Sequence, residues 1–213
     1  MSRMVLGSSM SRLKAVALIS DAGTPLISDP GYKLVRDAAA AGYRVFPIPG
    51  ASALLSGLVV AGLPTDRFLF AGFAPSKAGA RSTFFEDLAD MSATLVFYET
   101  GPRLKASLEA MHAAFGDREA AVGRELTKFF EEVRRGRLSE LAAAINTDPK
   151  GEIVVVVAPP EEKPVGDEAA LDAALRHFLP SHPVKESARL AAEETGVMRR
   201  DAYARALILK DET

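Results

Sequence analysis

Cysteine and tryptophan are both absent from the 213 residues. Without cysteine there is no disulfide, no thiolate zinc site and no cysteine nucleophile, a usage that fits a reducing compartment. Histidine is nearly as scarce: His112, His177 and His182 stand at no metal-ligand spacing. Positive charge is not in excess either, with 26 Lys and Arg against 28 Asp and Glu. A global nucleic-acid footprint is therefore excluded, and any RNA contact has to come from a local patch. The longest apolar run, residues 53–63, is broken by Ser56 and Gly57 and is too short to span a bilayer. Residues 1–10 have no apolar core or cleavage site and do not read as a signal peptide. The glycine signatures of dinucleotide and P-loop sites, the H-E-x-x-H zinc motif and the G-x-S-x-G elbow are all missing.

What is present is the composition of a globular protein, 48% hydrophobic and 25% charged, with core enough for one or two domains. Residues 1–14 have no period and read as an atypical start. Strand and helix signals then alternate. Residues 15–19 (AVALI) read as a strand, 32–41 as a helix closed by Gly42, 44–48 as a short strand, and 52–61 as a helix stopped by Gly62 and Pro64. This βαβα order implies parallel strands. Strands follow at 68–73, 94–98 and 119–123, with another at 130–135. The run Ile153-Val154-Val155-Val156-Val157 predicts a central strand buried on both faces. Helices are expected up to Asp90 and over 103–114 and 138–145. A Pro- and Glu-rich linker, 159–166, leads to three helices at 168–178, 185–195 and 200–209.

One stretch organises the first part, Ser20 to Gly31 (SDAGTPLISDPG), between a strand signal and a helix signal. A polar loop in that position is where α/β proteins place ligands. Gly23 allows close approach to the backbone, Pro25 and Pro30 stiffen the loop, and Asp29-Pro30 reads as the N-cap and first residue of the next helix. A tight connection with no ligand fits the same residues. Ser52 in Pro49-Gly50-Ala51-Ser52-Ala53 is either part of a second ligand loop or a plain helix cap. Glu99 and Arg103 read as a cleft pair or an exposed ion pair at a strand end. Gly123 to Lys128 (GRELTK) ends a strand in polar groups. Lys77, Arg81, Arg103, Lys128, Arg134, Arg135 and Arg137 are cations for phosphates or parts of solvated faces. The last two helices invite a helix-turn-helix reading, against which stands their acidic balance, 7 Lys and Arg to 9 Asp and Glu over 167–213.

Six motifs in this order, SDAGTPLISDPG, IPGASA, GLPTDRF, FYETGPR, GRELTK and GEIVVVV, resemble one family. It is the small-subunit ribosomal RNA (cytidine-2′-O)-methyltransferase branch of the tetrapyrrole methylase superfamily. The resemblance covers about residues 15–158 and extends over the C-terminal helices. It implies an α/β fold class: two α/β domains of the tetrapyrrole methylase type, the first incomplete, plus a small C-terminal helical extension. The expected boundaries are 1–14, 15–64, 65–158, 159–166 and 167–213. It implies S-adenosyl-L-methionine as cofactor, held by Gly23, Thr24, Pro25, Ile27, Ser52, Ala53, Tyr98, Glu125 and Glu152. Ribosomal RNA of the small ribosomal subunit is the implied partner, met by Lys77, Arg81, Arg103 and Arg124. Glu125 and Lys128 are the candidates for assisting loss of the ribose proton, with Lys128 alternatively binding phosphate. A cytoplasmic homodimer away from membranes is implied as well.

In that family several strands and helices precede the Ser20-type loop, whereas only residues 1–14 precede it here. The expectation is a shortened first domain whose remaining sheet exposes apolar surface unless a partner covers it. Two other readings follow: an inactive fragment acting as an interaction or RNA-binding module, or a methylase of the same scaffold acting on a tetrapyrrole.

Overall fold

A computed structural model describes residues 15–20, 23–161 and 167–211. The expected atypical start and most of the linker lie outside the described residues. The chain divides into two compact units, residues 1–160 and 161–213.

The first unit is built on the stretch that is most apolar in sequence. β5 (Glu152–Val157) has its last five residues buried and is the middle strand of a five-stranded sheet ordered β1-β2-β5-β3-β4. The other strands are β1 (Phe68–Phe73), β2 (Thr94–Thr100), β3 (Glu119–Arg124) and β4 (Glu132–Arg137). Only β1 and β2 are parallel; the remaining three pairings are antiparallel. Side chains of a strand alternate between faces, so β5 divides its valines between two layers. Leu95, Phe97, Val122, Ile153, Val155 and Val157 face one layer. There they pack on Phe85 of α3 (Ala78–Glu86), Leu104 and Leu108 of α4 (Gly101–Phe115), and Leu138 and Leu141 of α5 (Leu138–Ala143). Val96, Ala121, Val154 and Val156 face the other layer, against Leu58 and Ala61 of α2 (Ala53–Ala61). At about 1.5–3 kcal/mol for each fully buried large aliphatic or aromatic side chain, the first layer holds most of the unit's hydrophobic stabilisation.

The two earliest strand expectations are corrected. Residues 15–19 and 44–48 have no strand structure, and Val16, Ile19, Val45, Phe46 and Ile48 are exposed. A strand exists only as part of a ladder, and neither run finds a partner among the described residues. The expected βαβα unit is therefore absent, although its helices form: α1 (Tyr32–Ala40) and α2. The N-cap of α1 is Gly31 at φ 131°, not Asp29. Asp29 instead accepts a hydrogen bond from the Ser20 hydroxyl.

Helix α2 approaches the sheet closely because Gly57 has no side chain. A Cβ there would stand 2.6 Å from Cγ1 of Val154. Its C-terminus is closed by Gly62 in the left-handed region and by the Arg135 guanidinium, which donates to the carbonyls of Val60 and Ala61.

The second unit is a three-helix cluster, α6 (Glu168–Phe178), α7 (Val184–Thr195) and α8 (Arg199–Asp211). Leu171, Leu175, Ala188, Ala191, Ala202 and Ala206 form its core. The expected helix bounds hold to within about two residues, the usual uncertainty of helix ends. Among the described residues no helix is long and apolar enough to cross a membrane.

The contact at Gly57 makes a test. Gly57→Ala forces Val154 to turn or α2 to lift, an overpacking cost of about 1–3 kcal/mol. Urea unfolding should show the midpoint falling by that cost less the roughly 1 kcal/mol that alanine gains over glycine inside a helix; a midpoint that rises would mean that α2 is not pressed on the sheet.

Candidate active site at the sheet edge

The strand registers bring one edge of the sheet together. Phe73 pairs with Tyr98, Tyr98 with Val154, Thr100 with Glu152 and Arg124 with Ile153. The carboxyl ends of β1, β2 and β3 therefore meet the start of β5. Three connected segments sit there.

The 20–31 loop is held to the second loop by the Thr24 hydroxyl, which donates to the Ala51 carbonyl at 3.1 Å. Pro25 and Leu26 occupy the corners of a turn closed by the Ile27 N–H on the Thr24 carbonyl. Leu26, at φ 73°, and Ser28, at φ 57°, stand where non-glycine residues are strained. Such strain, about 1–3 kcal/mol per residue, concentrates at functional loops. Gly23 has φ 66°, and a Cβ on it would meet only the Ala51 carbonyl, at 3.8 Å, leaving its outer side open.

The second loop opens α2. The Ser52 hydroxyl accepts from the Leu55 N–H, so the cap reading of Ser52 holds. The next first-turn amide, on Leu54, donates to the Tyr98 hydroxyl at 3.1 Å. Tyr98 is wedged edge-on against Phe70 and Phe73, at ring distances of 4.8 and 5.7 Å. Burial pushes its phenol up, and the nearby Glu152 carboxylate adds to the shift. A chain of hydrogen bonds thus runs from Thr24 through the Ala51–Leu54 segment to Tyr98.

The third segment follows β3. Glu125 and Thr127 both have positive φ, 47° and 67°. That backbone turns the Glu125 carboxylate back so that Oε1 accepts from the Glu152 N–H at 2.9 Å and from Lys128 Nζ at 3.0 Å. Lys128 also reaches Glu152 Oε2 at 2.9 Å. Gly151, at φ 100°, leaves the space that the Glu125 side chain occupies, where a Cβ would lie 2.5 Å from it. The Glu152 N–H, and then Lys128, hold the Glu125 carboxyl below the usual carboxylate range. The two carboxylates hold Lys128 above the usual ammonium range. Two carboxylates and one ammonium sum to one negative charge for these three side chains, with the Arg124 guanidinium nearby.

The cations expected at RNA divide. Lys77 is exposed at the start of α3. Arg81 donates to the Ser76 carbonyl, and Arg124 to Glu132 and the Lys150 carbonyl. Arg103 turns inward, donating to the Ala74 carbonyl and lying 3.4 Å from Glu99. The alternative of an exposed Glu99–Arg103 pair is corrected too. Glu99 is only 3% exposed and accepts from the Ser107 hydroxyl and the Thr100 N–H. It fixes the start of α4. Sequence reading placed Gly151 only as the start of the GEIVVVV motif and Arg135 only among the cations for phosphates; it gave neither the role seen here. A glycine directly before a β-branched strand was the available signal for the first; the second had none. No cluster of three His, Asp or Glu side chains able to hold a metal occurs among the described residues.

A family model for Tetrapyrrole (Corrin/Porphyrin) Methylases matches residues 5–142. The chain belongs to this family. Within the tetrapyrrole methylases its relatives include the Ribosomal RNA small subunit methyltransferase I of Mesorhizobium japonicum. The two are 52% identical over 93% of this chain and 68% of that protein. The protein of that name from Pseudomonas aeruginosa is 47% identical, over 94% of this chain and 74% of its own length. A second model, described as the RsmI C-terminal HTH domain, matches residues 165–210 and so takes in α6, α7 and α8. Among solved structures, cobalt precorrin-4 methyltransferase, a cobalamin biosynthetic enzyme, matches with a TM-score of 0.49 at 15% identity. That match covers 64% of this chain and 61% of the other.

The pKa directions give a test with a definite sign. Glu125 is more acidic folded than unfolded. Its contribution to stability is present above the unfolded carboxylate value, about 4.3, and is lost as pH falls through the depressed folded value. The thermal midpoint of the wild type should exceed that of Glu125→Gln by a steady margin near neutrality, and the margin should shrink below about pH 4. A margin unchanged across that range would show that Lys128 and Glu152 do not act through the charge of Glu125.

Proposed function

We propose that this tetrapyrrole methylase uses S-adenosyl-L-methionine to methylate the ribose 2′-hydroxyl of a cytidine in small-subunit ribosomal RNA. We propose further that it does so as a cytoplasmic homodimer. The observation that carries the proposal is the hydrogen-bonded run Thr24–Ala51 and Leu54–Tyr98. It assembles four expected cofactor positions at one sheet edge in a chain whose relatives are named ribosomal RNA methyltransferases. The exposed apolar side chains Phe46, Ile48, Leu55 and Val59 support burial against a second copy.

The residues present suit the cofactor. The open side of Gly23 and the backbone of residues 23–25 admit close approach, Ile27 offers a half-exposed apolar contact, and Ser52 and Ala53 bring the α2 start beside them. The net negative charge of Glu125, Lys128 and Glu152 complements a cationic ligand. When bound, S-adenosyl-L-methionine supplies an activated methyl on a sulfonium.

The chain's task is to hold the acceptor oxygen in line and to take its proton; positioning alone supplies much of such a rate. Lys128 stays protonated between its two carboxylates, so its role is to orient them. Glu125 is the candidate acceptor of the ribose proton through a carboxylate oxygen; the O–H electron pair would form the O–CH3 bond while the pair of the broken methyl–sulfur bond would stay on sulfur as a neutral thioether. Its depressed pKa makes it a weak base that is fully ionised at neutral pH.

Two measurements test the proposal. Small ribosomal subunits lacking the modification should gain one ribose methyl at a cytidine when incubated with the protein and radiolabelled S-adenosyl-L-methionine. No label in the RNA, or label on a base, would refute the reaction. Gly23→Val places a branched side chain at a positive φ and over the open side of the loop, and calorimetry should show cofactor binding weakened at least about a hundredfold. Unaltered binding would move the cofactor site elsewhere.

A further inference from the structure

The helical unit contains a cavity of about 610 Å3. Arg176, His182 and Lys210 bring positive or protonatable groups to it, and Leu179, Val184 and Leu209 give it apolar walls. Among the described residues no carboxylate lines it. That is unusual for this unit, which is acidic in bulk and neutralises most of its cations. Arg189 pairs with Glu186 and Glu193, Arg199 with Glu193, Arg200 with Asp201, and Arg205 with Asp172 and Glu168. The carboxylate one turn before Arg176 is Asp172, whose two oxygens are both engaged by Arg205. Among the described residues Arg176 and Lys210 have neither a hydrogen bond nor an ion pair.

Each of these cations lies in the last turn of its helix, α6 or α8, where it complements the helix dipole by about 0.3–1 kcal/mol. That accounts for each separately. It does not account for their meeting, with an imidazole, around one apolar-walled cavity of the size that takes a small ligand.

We infer that this cavity is a subsite for one nucleotide of single-stranded RNA, its phosphate between Arg176 and Lys210 and its base against Leu179, Val184 and Leu209. The inference rests on the ribosomal RNA reading above and deepens it. Arg176 feels the Asp172 carboxylate at a distance but, like Lys210, has no carboxylate in ion-pair contact among the described residues, and such cations are what an acidic unit needs to hold a phosphodiester. The assignment also differs from the helix-turn-helix expectation, which would place nucleic acid at Arg199 and Arg200; both of those are already ion-paired.

The test uses the full chain and an unstructured oligocytidylate RNA, with affinity read by fluorescence anisotropy across a range of salt. The double variant Arg176→Ala, Lys210→Ala should bind at least about tenfold more weakly and lose about 1.4 from the slope of log affinity against log salt. Lys185→Ala removes an exposed cation that does not line the cavity and should change affinity less than about twofold. Val184→Phe should weaken binding with the salt slope kept. The cavity assignment is overturned if the wild type does not bind, if the double variant binds like the wild type, or if Lys185→Ala costs as much as the double change. Cavity-dependent binding by a wild type that transfers no methyl to small subunits would sink the methylation reading and leave the subsite standing.

Discussion

The hydrogen bond from the Leu54 N–H to the Tyr98 hydroxyl joins the two halves of the first unit at the point where the candidate site lies. Its partners are 44 residues apart in sequence. A helix N-terminus has unpaired amides by construction, and here two are met by different means: one by the local cap Ser52, one by a side chain from the sheet. The opposite end of α2 is met by Arg135 from β4. The helix is thus fixed at both ends to different strands and pressed on Val154 in the middle. The loops at 23–25 and 49–53 inherit their position from it.

The electrostatic arrangement beside this helix has the opposite character. Lys128 is bonded to two carboxylates while 44% of its side chain stays exposed, so water competes for every partner. Exposed pairs of this kind stabilise folds little. Their value lies in geometry: the strained backbone at Glu125 and the missing side chain at Gly151 are needed only to let one carboxylate reach the Glu152 amide and the lysine together.

Much of this was legible in the chain. The apolar run 153–157 fixes the central strand whatever surrounds it, and Ser52 and Gly62 mark both ends of α2. Of the edge motifs, FYETGPR and GRELTK could be placed because each begins at the end of a strand, β2 or β3. What was not legible depends on partners distant in sequence. Residues 15–19 have strand composition, but pairing is a property of two segments. Asp29 has the chemistry of a cap, yet Gly31 takes that position because its backbone reaches φ 131°. The burial of Glu99 follows from Ser107 and Arg103 on the next helix, and the role of Arg135 from carbonyls 74 and 75 residues earlier.

That last contact has a mechanical consequence. Helix α2 has 9 residues and is therefore about 13 Å long, a stiff strut. Arg135 grips one end of it, and the loops that carry Ser52 and, through Ala51, Thr24 hang from the other. Arg135 thus ties the β3–β4 hairpin to those loops through the helix as well as through the sheet. The hairpin and the candidate-site loops are two ends of one strut that touches the sheet at the glycine at 57.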